Sequence, residues 1–286
     1  MKKNYYWFIP IVGLMLIGTF ADFQISTWQE SINQNFVVNS YYRFFEIFGE
    51  FAFMLIFALV FGFFSNFGFR KENKVIKYIQ SGLNGIGLVF FAIMEFMGFA
   101  RYMFPEGGNS HGEITSLMSG ICIFLGIILA IIIFKSMFKI ADQDYLYYRK
   151  VAIFSIVYIV VVTLAVNVIK IIWARPRFWM VLSGEATFVP WYIINGNHVD
   201  NVTNAYMSFP SGHTANGFAS LALSLWFVKK REKAFTIFMI WGLLTAISRI
   251  FASQHYLTDT VMGGLIAFTL FIIFLKIFKL EPADSH

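Results

Sequence analysis

The sequence predicts an all-α protein, a polytopic transmembrane helical bundle of about eight helices, and three observations lead to this prediction. Hydrophobic residues make up 58% of the chain and charged residues only 13%, with a mean hydropathy of +0.67, whereas a typical soluble domain is about a quarter charged. Eight apolar windows are long enough to cross a hydrocarbon core about 30 Å thick. Basic residues are concentrated in alternate segments between these windows, as in membrane proteins.

The eight windows cover residues 6–23, 45–66, 82–104, 117–138, 151–171, 213–228, 234–250 and 258–279. The sixth is short and carries the small polar residues Thr214, Asn216, Ser220 and Ser224, so we expect it to be shielded from lipid inside the bundle. No internal repeat and no low-complexity linker divides the chain, which predicts one domain over residues 1–286.

The basic residues predict the orientation, because cytoplasmic segments retain Lys and Arg. With the N-terminus inside, sixteen of the 22 basic residues are cytoplasmic. The six on the other side are Arg43, Arg101, Lys170, Arg175, Arg177 and Arg249. We therefore expect both termini in the cytoplasm and residues 170–177, 210–213 and 248–259 outside it. We call these three segments the polar islands.

Two classes of function are excluded by composition. The net charge of +6 and the pI near 9.3 follow from short cytoplasmic loops rather than from one basic face, so no nucleic-acid partner is expected. The single cysteine, Cys122, lies inside an apolar window and allows neither an intrachain disulfide nor a cysteine metal motif. A channel or transporter would be expected to carry several ionisable residues in mid-membrane. Glu95 is the one clear candidate, which is thin evidence for such a function.

The third island carries His255 and Asp259, four residues apart, after Ser248 and Arg249. Residues at this spacing share one helix face. The carboxylate can then accept a hydrogen bond from one imidazole nitrogen and leave the other nitrogen basic. The pattern predicts a nucleophile or general base, although an isolated pair of this kind is also common as a purely structural contact.

The second island is Pro210, Ser211, Gly212 and His213, directly before the sixth window. Ser211 can cap the helix, and Gly212 allows a ligand to approach the backbone. Exposed N–H groups at the start of a helix bind anions, and His213 can give a proton to a leaving group there. A turn of this sequence before a helix also occurs without any function.

The first island places Lys170, Arg175 and Arg177 at the end of the fifth window. Guanidinium groups grip phosphate oxygens in pairs, and lysine adds a point charge. Each alone could be an interfacial residue, but all three islands fall on one predicted side of the membrane. They therefore predict a site for a phosphate ester.

A metal site is the alternative for His213, His255 and Asp259, since two histidines and a carboxylate form a known ligand set. Four nearby cations would repel a divalent ion and attract an anionic transition state. We therefore expect no metal and no other cofactor.

At these residues the chain resembles the type 2 phosphatidic acid phosphatase (PAP2) superfamily, which includes undecaprenyl-diphosphate phosphatases, glucose-6-phosphatase and the soluble vanadium haloperoxidases. The family pattern is Lys, six residues, Arg-Pro, then Pro-Ser-Gly-His, then Ser-Arg, five residues, His, three residues, Asp. The second and third motifs match completely, and the first matches at Lys170 and Arg177. Phe178 stands where the family has proline, which puts the shape of this loop in doubt.

The resemblance implies roles for these residues. His255 would attack phosphorus, Asp259 would orient it, and His213 would protonate the leaving group. The phosphate would be held by Lys170, Arg177, Arg249, Ser211 and Gly212. Arg175 lies between the motif positions and is a candidate for substrate contact. A six-helix core over residues 82–280 is implied, with two additional helices over residues 1–80.

The implied activity is a membrane phosphatase acting outside the cytoplasm, in a bacterial plasma membrane, on a polyprenyl diphosphate, phosphatidic acid or phosphatidylglycerophosphate. A soluble substrate such as a sugar phosphate is an alternative. A non-catalytic phospholipid-binding or transport protein is another, although such relatives typically lose the nucleophile. No protein partner can be deduced. The polar stretch from Phe178 to Phe209 is expected to be either a cap over the site or an ordinary interfacial loop.

Overall fold

The structure is a computed structural model and describes residues 8–32, 35–103, 114–199 and 201–280. In these ranges the regular elements are helical, and no β-strand occurs. The all-α prediction is therefore confirmed. The α-helices are α1 Phe8–Ile32, α2 Phe36–Phe48, α3 Ala52–Phe69, α4 Lys74–Met103, α5 Ser116–Met137, α6 Tyr145–Trp173, α7 Phe178–Leu182, α8 Gly212–Ala219, α9 Arg231–Phe251 and α10 Leu257–Ile277.

Seven segments among the described residues are long and apolar enough to cross a membrane, judged by length and composition. They are Ile9–Ile32, Phe36–Phe69, Lys74–Met103, Ser116–Met137, Asp142–Leu182, Val228–Phe251 and Leu257–Ile277. Such a set of helices is typical of an integral membrane protein. Seven of the eight apolar windows thus correspond to these segments.

The window at residues 213–228 is the one that differs from the sequence prediction. It contains the eight-residue helix α8, followed by the 3₁₀ segment Ser220–Trp226. The Ser220 hydroxyl donates to the carbonyl of Gly217 at 2.6 Å. A hydroxyl that bonds a carbonyl of the preceding turn competes with the α-helical hydrogen-bond ladder, which explains why an apolar window does not continue here as one regular helix.

The chain divides into two compact units. The first, which we call the site unit, comprises Met1–Glu50, Tyr158–Leu221 and Glu232–His286, and the second comprises Phe51–Val157 and Ala222–Arg231. These boundaries do not follow the expected division between residues 1–80 and 82–280. The single domain with two additional helices stays a prediction.

Small residues let the helices of the second unit approach closely. A side chain on Gly126 of α5 would overlap Ile93 of α4, and a side chain on Gly62 of α3 would overlap Ile133 of α5. Phe57 of α3 stacks on an aromatic ring of α4, with centroids 4.8 Å apart. Helices in lipid associate through such packing because they lack a hydrophobic driving force between them.

Glycine residues also allow close packing around α8 in the site unit. The ring of Phe218 lies against Gly242 of α9 and Gly264 of α10, where an added Cβ would come within 2.8 and 2.9 Å of it. Gly263 of α10 faces the backbone carbonyl of Ser211 so closely that no side chain fits between them. These contacts bring the N-terminal ends of α8 and α10 together, and both ends carry motif residues.

Candidate active site

All nine residues that the sequence predicted for the site lie in the site unit. Ser211, before α8, donates its backbone N–H to the carbonyl of Asp259 in α10 at 2.9 Å. Gly212 lies beside Lys170 of α6, because a Cβ on Gly212 would be 3.3 Å from the Lys170 ammonium nitrogen. The three polar islands, separated by up to about 80 residues in the sequence, therefore meet at one end of these helices.

A left-handed residue ends α6 and directs the first island into the site. Ala174 has φ of 40° and donates its N–H to the carbonyl of Lys170 at 2.9 Å. This conformation costs an alanine about 1–2 kcal/mol, and Pro176 then prevents the helix from continuing. The chain therefore turns sharply after α6, and Arg175 and Arg177 lie off the axis of that helix.

Arg177 is held in place by Asn204 and Gln254. Its Nε donates to the carbonyl of Asn204 at 2.9 Å and its Nη2 to the side-chain oxygen of Asn204 at 3.0 Å. Its Nη1 donates to Gln254 Oε1 at 3.0 Å and lies 3.4 Å from His255 Nε2. These acceptors position the guanidinium beside the imidazole.

His255 is buried, and its ring is oriented through Nδ1. This nitrogen lies 2.8 Å from the carbonyl oxygen of Ser208 and 3.6 Å from Asp259 Oδ2. Because a carbonyl can only accept, Nδ1 carries the hydrogen and Nε2 carries the lone pair, directed toward Arg177. Burial lowers the pKa of His255 to about 3, and the Arg177 charge opposes protonation further, against the raising effect of Asp259.

Asp259 lies behind His255 with both of its oxygens engaged. Oδ1 accepts from Arg175 Nη1 at 2.6 Å. Oδ2 accepts from the Ser208 hydroxyl at 2.5 Å and from the backbone N–H of Tyr256 at 2.9 Å. The carboxylate therefore fixes the start of α10 and the Ser208 backbone that orients His255, in addition to acting on the imidazole by its charge.

Arg175 lies on the side of Asp259 away from His255, and its side chain is inaccessible to solvent. Its Nη1 donates to Asp259 and to Thr258 Oγ1 at 2.9 Å, its Nη2 to Asp22 Oδ2 at 3.0 Å, and its Nε to the carbonyl of Val189 at 2.8 Å. Each of its three nitrogens thus contacts a protein group. The suggested substrate contact for Arg175 finds no support in this geometry, which makes it a counter-ion of two carboxylates.

Ser211 and Gly212 form the start of α8 as the sequence suggested. The Ser211 hydroxyl is the N-cap and accepts from the backbone N–H of Thr214 at 3.4 Å and from its hydroxyl at 3.0 Å. The N–H groups of the first helical turn have no acceptor within the helix. Gly212 in this turn lies next to Lys170, so one anion could contact both the start of α8 and the Lys170 ammonium group.

His213 pairs with a carboxylate that sequence reasoning did not single out. Its Nδ1 lies 3.3 Å from Glu50 Oε1, and the same oxygen accepts from the side chain of Asn216 at 2.9 Å. Glu50 follows α2, about 160 residues before His213 in the chain. An Nδ1–H that donates to Glu50 would leave Nε2 available for a second proton.

Arg249 is a buried cation with incomplete hydrogen bonding. It is 3% exposed, and its Nε and Nη1 have no hydrogen-bond partner among the described residues. Its Nη2 lies 3.8 Å from Glu46, which also pairs with Arg43 at 2.7 Å. Two unmatched donors on a buried guanidinium are costly, and an anion bound between them and Lys170 would satisfy both.

Sequence reasoning missed several residues outside the polar islands that contact the predicted site residues. They include Asp22, Glu46, Glu50, Asn204 and Ser208. The three carboxylates lie within or beside apolar N-terminal runs, and a charge in such a run is itself a signal of function. Nothing in the sequence alone singles out Asn204 or Ser208.

Phe178, which replaces the family proline, begins α7. It is 1% exposed, and its ring centroid lies 6.1 Å from that of Phe23 in α1 and 5.9 Å from that of Tyr256. Proline is favoured at the first position of a helix because its φ is already fixed. Here the same position is fixed by aromatic packing, and Arg177 directly before it keeps its contacts.

The stretch from Phe178 to Phe209 supplies atoms to the site. It provides the Asn204 and Ser208 contacts and the Val189 carbonyl. A polar cavity of about 600 Å³ lies beside Pro176. The cavity is lined by Pro176, Gly184, Glu185, Ala186, Thr187, Val189, Asn195, His198, Val199, Asn201 and Tyr206. Whether this stretch acts as a cap stays a prediction.

Within the described ranges, no group of three or more His, Cys, Asp and Glu side chains is placed to hold a metal ion. Residues 151–282 match the model of the PAP2 superfamily. No curated protein and no solved structure matches the chain. The matched region contains all three polar islands at the spacing of the family motifs, and the geometry brings these islands to one place. Over residues 151–282 the chain is therefore similar to the PAP2 superfamily.

Proposed function

We propose that this protein is a membrane phosphatase that hydrolyses a lipid phosphate or diphosphate through a phosphohistidine at His255, without a metal ion. The family match supports a phosphatase-type enzyme. One observation supports the proposed role of His255 most directly. The ring is buried and neutral, its Nδ1–H donates to the Ser208 carbonyl, and its Nε2 lies 3.4 Å from Arg177 Nη1. A nucleophile beside a cation is suited to attack an anionic phosphorus centre.

Three cations would hold the phosphoryl oxygens. Arg249 has two unmatched buried donors, Arg177 lies next to the nucleophile, and Lys170 lies beside the start of α8. The backbone N–H groups at Gly212 and the Ser211 hydroxyl would add hydrogen bonds. Donors placed where negative charge develops are usually the largest contribution to catalysis of this kind.

In the first step, Nε2 of His255 would attack phosphorus as the bond from phosphorus to the leaving oxygen breaks. The electron pair of that bond goes to the leaving oxygen, which takes a proton from the protonated ring of His213. The phosphorylated imidazole carries a positive charge while Nδ1 keeps its hydrogen. Asp259, 3.6 Å from Nδ1, would stabilise this cation.

In the second step, a water oxygen would attack the phosphorus atom and give a proton to the now neutral His213. The N–P bond breaks and its electron pair returns to His255. Inorganic phosphate leaves, and both histidines regain their starting states. Glu50 would hold His213 in the orientation that both proton transfers need, since it lies 3.3 Å from Nδ1.

A lipid substrate is proposed because the site lies at the ends of helices that are suited to cross a membrane. Lys170 and Arg249 belong to two of the seven candidate spans, so a headgroup at membrane depth could reach both while its chains remain in lipid. Polyprenyl diphosphate, phosphatidic acid and phosphatidylglycerophosphate share this chemistry. A soluble sugar phosphate is the alternative substrate, and phospholipid binding or transport without turnover is the alternative function.

We further propose that the site faces the extracytoplasmic side of a bacterial plasma membrane, with both termini cytoplasmic. The positive-inside distribution supports this orientation. It requires an even number of crossings, so the buried segment from α8 to Trp226 must cross as well. That segment begins beside Lys170, near the end of α6, and the Leu225 carbonyl accepts from Tyr147 at the beginning of α6 at 2.9 Å.

The test is phosphate release by purified protein in EDTA, with polyprenyl diphosphate, phosphatidic acid, phosphatidylglycerophosphate and glucose 6-phosphate. We expect release from at least one lipid and a loss of at least about 1,000-fold in His255→Ala, as expected for removal of a nucleophile. His286→Ala, outside the matched region, is the matched histidine control and should keep wild-type activity. Release from glucose 6-phosphate alone would favour the soluble substrate.

Two outcomes would contradict the proposal. Activity that is lost in EDTA and restored by a divalent metal would replace the metal-free mechanism. Tight lipid binding without release from any substrate would favour the non-catalytic function. A His255→Ala variant that elutes and melts like the wild-type protein would make either result independent of folding.

A further inference from the structure

The first helix, which lies outside the matched region, places a carboxylate next to the catalytic groups. Asp22 of α1 is 2% exposed. Its Oδ2 accepts from Arg175 Nη2 at 3.0 Å and from the Thr258 hydroxyl, and its Oδ1 accepts from the backbone N–H of Thr258 at 3.1 Å. The neighbouring Gly18 permits this approach, because any side chain there would overlap Thr258.

These contacts complete the start of α10. Tyr256 is the N-cap of α10, and its hydroxyl has no hydrogen-bond partner among the described residues, although a cap residue normally accepts from the second or third N–H of its helix. The Asp259 side chain accepts from the N–H of Tyr256. Asp22 accepts from the second helical N–H, at Thr258. Helix α1 thus supplies the acceptor that the sequence of α10 lacks.

The charges form a chain in which Arg175 lies between two carboxylates. Its guanidinium contacts Asp259 at 2.6 Å and Asp22 at 3.0 Å, and all three side chains are at most 2% exposed. One cation and two anions leave a net negative charge. Without Asp22, the same guanidinium would neutralise Asp259 alone, and less negative potential would act on His255.

We infer that Asp22 is a positioning residue for the reaction and that α1 is an obligatory part of the active site. It acts through Arg175 and Thr258 on Asp259, which must stabilise the cationic imidazole. This inference rests on the proposed function, because it assigns Asp22 an effect on the phosphohistidine step. A merely structural role would predict lower stability with unchanged kcat.

The test compares Asp22→Asn and Asp22→Glu with wild type, on the substrate that wild type hydrolyses. Asp22→Asn keeps a hydrogen-bonding oxygen but removes the charge, whereas Asp22→Glu keeps the charge but moves it. We expect kcat to fall at least tenfold in Asp22→Asn and at least fivefold in Asp22→Glu, with KM within threefold of wild type. Asp22 contacts Arg175 and Thr258 rather than the residues proposed to bind phosphate, so KM should change little.

The matched control is Gln29→Met. Gln29 is a buried polar residue of the same helix and donates to the carbonyl of Phe251 at 2.9 Å, without contact to Arg175. We expect this variant to lower the melting temperature while kcat stays within twofold. A double variant tests whether Asp22 acts through Asp259. Adding Asp22→Asn to Asp259→Asn should lower kcat by less than a further twofold, because both substitutions act through the Asp259 carboxylate.

The outcomes separate this inference from the proposed function. Wild-type protein without phosphate release would contradict the proposed function. Active wild type with kcat unchanged in Asp22→Asn would overturn the positioning role, as would losses that multiply in the double variant. If Asp22→Asn does not fold, the kcat of Asp22→Glu decides, and wild-type kcat there would overturn the inference.

Discussion

At the scale of single residues, one group orients His255, the proposed nucleophile, and another acts on it by its charge. Ser208 receives the Nδ1 hydrogen of His255, and Asp259 lies 3.6 Å away with its oxygens bonded elsewhere. The carboxylate is therefore available as a charge rather than as the direct acceptor of the imidazole hydrogen. This arrangement suits a ring that becomes cationic only after phosphorylation.

The pH dependence follows from the pKa of His255. Burial lowers this pKa to about 3, far below the usual 6.5, so the ring stays neutral until the pH falls through about 3. We expect kcat/KM to show no acid limb from His255 above about pH 4. Burial and the nearby cations lower the pKa of His213 well below 6.5, so loss of the His213 proton should lower the rate about tenfold per pH unit from below pH 6.5 upward.

The measurement is kcat/KM from pH 4 to 9 in EDTA, with the ionisation of the substrate phosphate, pKa about 6, measured separately. A tenfold fall between pH 7 and 5.5 that the substrate does not explain would contradict a neutral, buried nucleophile. A profile without any alkaline limb would contradict the role of His213 as proton donor.

Arg249 provides a second test at this scale. Because two of its nitrogens are buried without a hydrogen-bond partner in the described part of the chain, we expect Arg249→Met to lower kcat/KM about 100-fold or more. Arg43 is the matched control, since it pairs with the same Glu46 but is 39% exposed. Arg43→Met should stay within threefold. Equal losses in the two variants would show that Glu46 pairing, rather than phosphate binding, explains the effect.

At the scale of helices, the site depends on how closely α8 and α10 approach. Gly263 lies directly against the Ser211 carbonyl, and the Ser211 N–H donates to the carbonyl of Asp259. The two motifs are thus tied backbone to backbone. A rigid backbone contact can place His213 and His255 more reproducibly than flexible side chains could.

The corresponding prediction concerns Gly263→Ala. The added methyl group would overlap backbone, which cannot move aside as a flexible side chain does, so we expect about 1–3 kcal/mol lower stability and at least tenfold lower kcat. Gly120→Ala on α5 is the control, because nothing lies within 4 Å of its added Cβ. Thermal unfolding and phosphate release are measured for both. Wild-type activity in Gly263→Ala would contradict the proposed role of this contact.

Sequence reasoning predicted the long helices because each is a continuous apolar run of sufficient length. It overextended the window at 213–228, where Ser220 bonds a carbonyl of its own turn and a 3₁₀ segment follows. Hydropathy cannot distinguish these two helix types. The left-handed Ala174 was equally hidden, since glycine is the usual residue in that conformation.

The site, like the fold, could be predicted only in part from the sequence. The motif residues could be placed from their order and spacing, and the structure brings them together. Their partners Asp22, Glu46 and Glu50 lie about 150 to 200 residues away in the chain, and local patterns do not report such distant contacts. Their charges in apolar surroundings were visible, but which cation each one meets depends on the tertiary fold.

At the scale of the whole molecule, the predicted orientation depends on whether the segment from α8 to Trp226 crosses the membrane. Seven candidate spans alone would place the termini on opposite sides. The count of basic residues favours eight crossings, because Lys229, Lys230 and Arg231 follow this segment and are expected in the cytoplasm.

Cysteine labelling tests this orientation. Cys122 is buried and can be replaced by alanine, and single cysteines are then introduced at the exposed positions Ser183 and Lys230. In intact cells, we expect a membrane-impermeant maleimide to label position 183 but to reach position 230 only after permeabilisation. Labelling of both positions from outside would show that the segment does not cross. The reverse pattern would place the site in the cytoplasm.

If His255 attacks phosphorus, it becomes phosphorylated during turnover, and this phosphohistidine can be trapped. Wild-type protein is mixed with ³²P-labelled substrate in EDTA, stopped within milliseconds and mapped by mass spectrometry. We expect an acid-labile, base-stable phosphoryl group on His255 that forms and decays at rates compatible with turnover and is absent in His255→Asn. Rapid turnover without labelled His255, or label on another residue, would show that His255 is not the nucleophile.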